Sequence, residues 1–171
     1  MINGAPFLPH VTEALACRSA AQLIAQFAPS GPVLDLGDLR DLAPAVAPRC
    51  VVTPTMFTAD ICALPFADGC FGAVVGYWVL DRLDGSAMPP VLSELARIGQ
   101  MLIFILTHDF LPGMVMRSVQ LPDGSFENEF SIGWFEQALL TWPGRWTMHS
   151  QRYRMVPGGV IAAWQQPILV T

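Results

Sequence analysis

Between Pro32 and Thr107 the chain repeats one pattern: a short apolar run that stops at a turn-forming residue, followed by a connection. The runs are Pro32-Val-Leu-Asp-Leu-Gly37, Cys50-Val-Val-Thr53, Cys70-Phe-Gly-Ala-Val-Val-Gly-Tyr77 and Gln100 to Thr107. The last is apolar from Met101 to Leu106, as expected of a central strand buried on both faces. Alternation of strands with helices constrains the fold strongly, because parallel strands need crossovers that cover the faces of their sheet. Ligands of such sheets sit outside the carboxyl ends of the strands. That rule singles out Gly37-Asp38-Leu39, Asp60-Ile61, Tyr77-Trp78 and Thr107-His108-Asp109.

The connections read as helices. Thr12 is placed to cap a first helix, over 11–28, with a stripe of Ala14, Leu15, Leu23, Ile24 and Phe27. Leu39 to Ala47 is a Pro-interrupted helical segment. Pro89 and Pro90 open a helix through Val91, Leu92, Leu95, Ala96 and Ile98, with Glu94 outward and Gly99 at its end. Ser131 caps another, rich in Trp134, Phe135, Ala138 and Leu139. Two long strands, Trp146 to Val156 and Val160 to Val170, meet at Pro157-Gly-Gly159, a hairpin signal. The fold class is therefore α/β: one domain over 1–171, core 32–171, with a mostly parallel sheet and a C-terminal antiparallel hairpin. Phe57-Thr-Ala-Asp60 is a further brief extended piece. It follows Thr53 too closely for both to be parallel strands, since a crossover takes about 10–12 residues.

Composition excludes some functions. All nine basic residues are Arg and the net charge is −5, which leaves no basic stripe for nucleic acid. No apolar run approaches the roughly 20 residues of a membrane span. The start, Met1-Ile-Asn-Gly-Ala-Pro6, lacks the pattern of a signal peptide, so a cytoplasmic protein is expected. Cys17, Cys50, Cys62 and Cys70 are scattered, without metal-ligand spacing, and read as small buried thiols rather than a metal site. Phosphate-loop, nucleophile-elbow and zinc-helix motifs are absent from the sequence. Phe7, Leu8, Phe110, Leu111, Met114, Met116, Trp134, Phe135 and Trp142 read mostly as core, with any surplus forming a partner surface.

The order of motifs resembles the class I S-adenosylmethionine (SAM)-dependent methyltransferases of the small-molecule type. Ala59-Asp-Ile-Cys-Ala-Leu-Pro-Phe-Ala-Asp-Gly-Cys-Phe-Gly-Ala-Val-Val-Gly-Tyr-Trp-Val-Leu-Asp-Arg-Leu83 is similar to that family's Gly-Asp-Ala, Leu-Pro-Phe, Asp-Gly-Ser-Phe-Asp and Val-Leu-His-His-Leu succession. Leu92 to Arg97 is similar to its Leu-x-Glu-x-x-Arg helix, and the terminal hairpin fits. The resemblance covers Val33 to the C-terminus and implies a Rossmann-like fold shortened by about one βα unit.

For a cofactor, the resemblance implies SAM contacts at Asp35, Gly37, Asp60 and Ile61. The family's acidic residue and Gly-x-Gly-x-Gly loop here read Asp35-Leu-Gly37-Asp-Leu39-Arg-Asp41, so Leu39 and Asp41 stand at two glycine positions. A side chain there narrows the approach of backbone to ligand. The residue that would bind the ribose after the second strand is missing, as Pro54 and Thr55 follow Thr53. The resulting expectation is a methyltransferase-like, non-catalytic subunit or scaffold that needs no cofactor and works with a protein partner or as a homodimer. The alternative is a SAM-dependent small-molecule methyltransferase with an atypical pocket, in which His108, Asp109 or Tyr77 serves the acceptor. A third reading is a binding module for another apolar ligand.

Overall fold

A computed structural model describes residues 9–27, 29–37, 49–52, 61–107, 110–154 and 156–166. Helix α1 (Pro9–Phe27) leads to strands β1 (Val33–Leu36), β2 (Arg49–Val52) and β3 (Ala73–Tyr77). Two 3-10 turns, Leu80–Arg82 and Gly85–Ala87, precede helix α2 (Met88–Ile98) and strand β4 (Met101–Leu106). There follow β5 (Met116–Gln120), β6 (Phe126–Phe130), α3 (Ile132–Leu139), β7 (Trp146–Arg152) and β8 (Gly159–Gln165).

Six strands form one sheet in the order β2-β1-β3-β4-β8-β7. The first four are parallel, and β8 and β7 are antiparallel to their neighbours in that order. This is the expected mostly parallel sheet with a terminal antiparallel pair. Among the described residues β2 is the outermost parallel strand.

Strand alternation sorts the core into two layers. Leu34, Leu36, Val74, Leu102, Phe104, Leu106, Ile161 and Ala163 pack with α2 and Phe135 of α3. Val33, Ala73, Val75, Met101, Ile103, Ile105, Val160 and Ala162 pack with α1. All six residues of β4 are buried, which accounts for its unbroken apolar run. Val74 pairs with Leu102 and Leu36 with Gly76, so β1, β3 and β4 end close together.

Several local expectations need correction. The first helix starts at Pro9, so Thr12 lies inside it rather than at its cap. Its buried stripe is Ala16, Cys17, Ala20, Leu23 and Ile24, while Ala14 is exposed. Small residues face inward because they let the helix lie close on the sheet. Glu94 is 9% exposed, not outward, because it holds a buried contact described below. β7 and β8 are shorter than the sequence runs that contain them. The pair β5 and β6 was missed, although Leu121-Pro-Asp-Gly-Ser125 is a turn signal between its strands. The helical segment at 39–47 and the extended piece at 57–60 lie outside the described residues.

Cys17 is buried, while Cys62 and Cys70 are half-buried against the core. Among the described residues no helix is long and apolar enough to cross a membrane, and no group of three metal-ligating side chains occurs. Of the large apolar residues singled out above, Phe110, Phe135 and Trp142 are buried. Leu111, Met116 and Trp134 are half-buried, and Met114 is 61% exposed. Phe7 and Leu8 lie outside the described residues.

Candidate functional site

The carboxyl ends of β1, β3 and β4 place Gly37, Tyr77 and Thr107 along one edge of the sheet. Gly37 has φ +120°, and a Cβ there would lie 2.4 Å from the Tyr77 carbonyl oxygen. Only glycine permits the turn after β1 to pass so close to the end of β3. Asp35, two residues earlier, is fully buried within β1. Gly37 thus meets Tyr77, while Asp35 pairs in register with Val75 of β3. Ile61, half-buried, opens the loop that carries Leu64-Pro65-Phe66. Asp60, His108 and Asp109 lie outside the described residues, as do Leu39 and Asp41.

Tyr77 is half-buried against the α1 layer, and burial first, then the charge of Glu13, pushes its phenol up to about 12. It stays protonated near neutral pH, so it can donate a hydrogen bond but cannot serve as a general base. The next residue, Trp78, has φ +59°, the single positive φ of a non-glycine residue among those described. A bulky residue in the left-handed region costs roughly 1–3 kcal/mol and persists where its surroundings over-determine it. Here the Trp78 ring lies 5.4 Å from that of Tyr77, and the Arg82 guanidinium carbon is 5.8 Å from its centroid.

The turn that carries Arg82 is fixed from both sides. Asp81 is 3% exposed, and its Oδ2 accepts bonds from Thr107 N (3.1 Å) and Thr107 Oγ1 (2.8 Å). These bonds tie the turn after β3 to the end of β4. From the other side Asn128 of β6, fully buried, donates through Nδ2 to the carbonyls of Leu80 and Leu83, both at 2.7 Å. The β5-β6 hairpin therefore lies across the turn. Sequence reasoning missed Asp81, Arg82 and Asn128. A findable signal existed for Asn128, because it sits between Phe126 and Phe130 on the inward face of a strand, where Asn is disfavoured.

A second network holds the Leu-Pro-Phe loop to α2. Arg97 donates to Glu94 Oε2 (2.8 Å) and Oε1 (2.7 Å), to the carbonyls of Phe66 (2.9 Å) and Leu64 (3.2 Å), and to Asp68 (2.5 Å). Glu94 Oε1 also accepts the Leu64 N–H at 2.6 Å. The Arg97 guanidinium holds the Glu94 carboxyl below its ordinary range against the opposing effect of burial. Two separate sequence motifs are thus one structural device, in which the helix supplies a fork and a carboxylate to the loop backbone.

No family model and no curated protein matches the chain. Solved structures do. The Burkholderia thailandensis 1,6-didemethyltoxoflavin-N1-methyltransferase, with that substrate and S-adenosylhomocysteine bound, superposes with a TM-score of 0.68 at 15% identity, over 89% of this chain and 79% of the other. The Synechocystis magnesium protoporphyrin IX methyltransferase, bound to the same product, gives 0.64 at 14% identity over 97% and 90%. A SAM-dependent methyltransferase from Clostridium acetobutylicum gives 0.60 at 10% identity over 88% and 91%. Sheet order, terminal hairpin and this likeness agree: the chain has the fold of the class I SAM-dependent methyltransferases.

Proposed function

We propose that the chain is a SAM-dependent methyltransferase acting on a small molecule. The observation that carries this reading is the likeness, over most of the chain, to enzymes whose structures hold S-adenosylhomocysteine. The described residues support that reading at one point: Gly37 keeps the turn after β1 free of a side chain. Asp35, Gly37, Asp60 and Ile61 are the residues proposed to hold SAM. When bound, SAM supplies an electrophilic methyl group on a sulfonium.

The chain's own contribution is orientation and proton handling. Tyr77 donates a hydrogen bond as a neutral phenol. The acceptor's proton passes to His108 or Asp109, the candidates at the end of β4, because Tyr77 is too weak an acid to have a phenolate ready at pH 7. A second reading, the non-catalytic subunit, is favoured by Leu39 and Asp41 in the glycine-rich loop. Titration calorimetry with S-adenosylhomocysteine separates the two. Micromolar binding, weakened by Gly37→Val in a folded variant, is the expected result; a folded chain that takes up none at millimolar concentration overturns the enzyme reading and leaves the scaffold.

A further inference from the structure

The geometry points to Arg82 as the anchor for an anionic group, of the carboxylate class, on the methyl acceptor. This deepens the methyltransferase reading and rests on it. Four features converge on that side chain. It lies on the turn that follows the carboxyl end of β3, on the ligand side of a parallel sheet. Its guanidinium carbon lies 5.8 Å from the Trp78 ring centroid, within cation–π reach, and the side chain is exposed. It has no carboxylate at ion-pair distance and no side-chain hydrogen bond among the described residues. The turn beneath it is locked by Asp81 to Thr107 and by Asn128 to Leu80 and Leu83, so the guanidinium stands on a rigid base.

Comparison with other arginines sharpens the point. Arg97 is spent on Glu94 and Asp68, and Arg117 on Glu129 across the hairpin. Arg152 likewise has its guanidinium carbon 5.7 Å from an aromatic centroid, that of Phe110, but donates to the Phe110 carbonyl at 2.7 Å. Asp123 at the β5-β6 turn feels the charge of Arg82, and its Oδ1 accepts from Ser125 N (3.0 Å) and Oγ (2.6 Å). In a chain of net charge −5, a local cation favours an anion where the overall charge disfavours one. A carboxylate matches the guanidinium fork and takes two parallel hydrogen bonds from it.

Saturation-transfer NMR tests this with benzoate and its neutral isostere benzamide, each added to the full chain with S-adenosylhomocysteine present. Benzoate is expected to show transfer and benzamide none. Arg82→Gln should weaken benzoate at least fivefold, and Arg82→Lys should fall between, keeping the charge and losing the fork. Because Arg82 is exposed, both variants should melt as the parent does and bind S-adenosylhomocysteine equally well. Equal signals from the two probes, or benzoate binding that survives Arg82→Gln, overturns the anchor and leaves the methyltransferase reading in place. Arg82-dependent benzoate binding by a chain that takes no S-adenosylhomocysteine keeps the anion site and overturns the methyltransferase reading.

Discussion

At the scale of single residues, Gly37 and Tyr77 carry the candidate site, and each makes a prediction. A Cβ at Gly37 meets the Tyr77 carbonyl at 2.4 Å, whereas one at Gly69, also at positive φ, meets nothing within 4 Å. Gly37→Ala should therefore cost about 1–3 kcal/mol from strain and collision. Gly69→Ala should cost about 1 kcal/mol, from backbone conformation alone. Thermal melts of the two variants measure the difference, and equal losses would show that the β1 turn relaxes freely. Tyr77 and Tyr153 are the two tyrosines of the chain, and burial raises both. Below pH 10 the folded and unfolded forms are both protonated. Between pH 10 and about 12 the unfolded chain releases its Tyr77 proton first, so stability falls as pH rises through that window. Absorbance titration should show delayed phenolate formation, and Tyr77→Phe should flatten the fall in melting temperature above pH 10.

At the scale of elements, loops are held by helices and hairpins through buried polar groups. Glu94 binds the Leu64 N–H and the Arg97 fork together. Glu94→Ala leaves that N–H without its acceptor, at a cost of about 1–3 kcal/mol. Its carboxyl is held below the ordinary value of 4.5, so its support is present above that pH and is lost as the carboxylate takes up a proton on acidification. Glu94→Gln should flatten stability against pH in the acid limb, followed by circular dichroism. Asn128 contributes donors only: its Oδ1 has no hydrogen-bond partner among the described residues, while Nδ2 serves two carbonyls. Asn128→Asp should consequently destabilise more than Asn128→Ala at pH 7, because a carboxylate faces two carbonyl oxygens. The gap should close at low pH, where the protonated acid can donate; a constant gap would place the amide's value in packing.

For the whole molecule, a sheet covered by α1 on one face and by α2 and α3 on the other explains an interior that needs 53% hydrophobic residues. Its outer strands among the described residues are β2 and β7. An open edge invites pairing with another chain, and the sequence offers no Lys to discourage it. Association as a homodimer or with a protein partner is the proposal that follows. Light scattering after size exclusion should report a species of twice the chain mass at micromolar concentration, and a monomer throughout that range would remove the homodimer.

Fold class and the order of elements other than the β5-β6 pair were legible in the sequence, because both follow from local periodicity: β4 is apolar throughout since both its faces are covered, and Ser131 caps α3 by accepting from the Trp134 N–H three residues on. The positions of Gly37 and Tyr77 at strand ends were also legible, from the parallel order of the strands. The facing of Glu94 and Ala14 was not, since helical spacing defines a stripe without saying which neighbour it meets. Nor was the turn at Arg82, whose geometry depends on Thr107, 26 residues from Asp81, and on Asn128, 48 residues from Leu80. Local chemistry sets what each segment can become; contacts distant in sequence decide which polar groups converge at the site, because only packing brings them within hydrogen-bond reach.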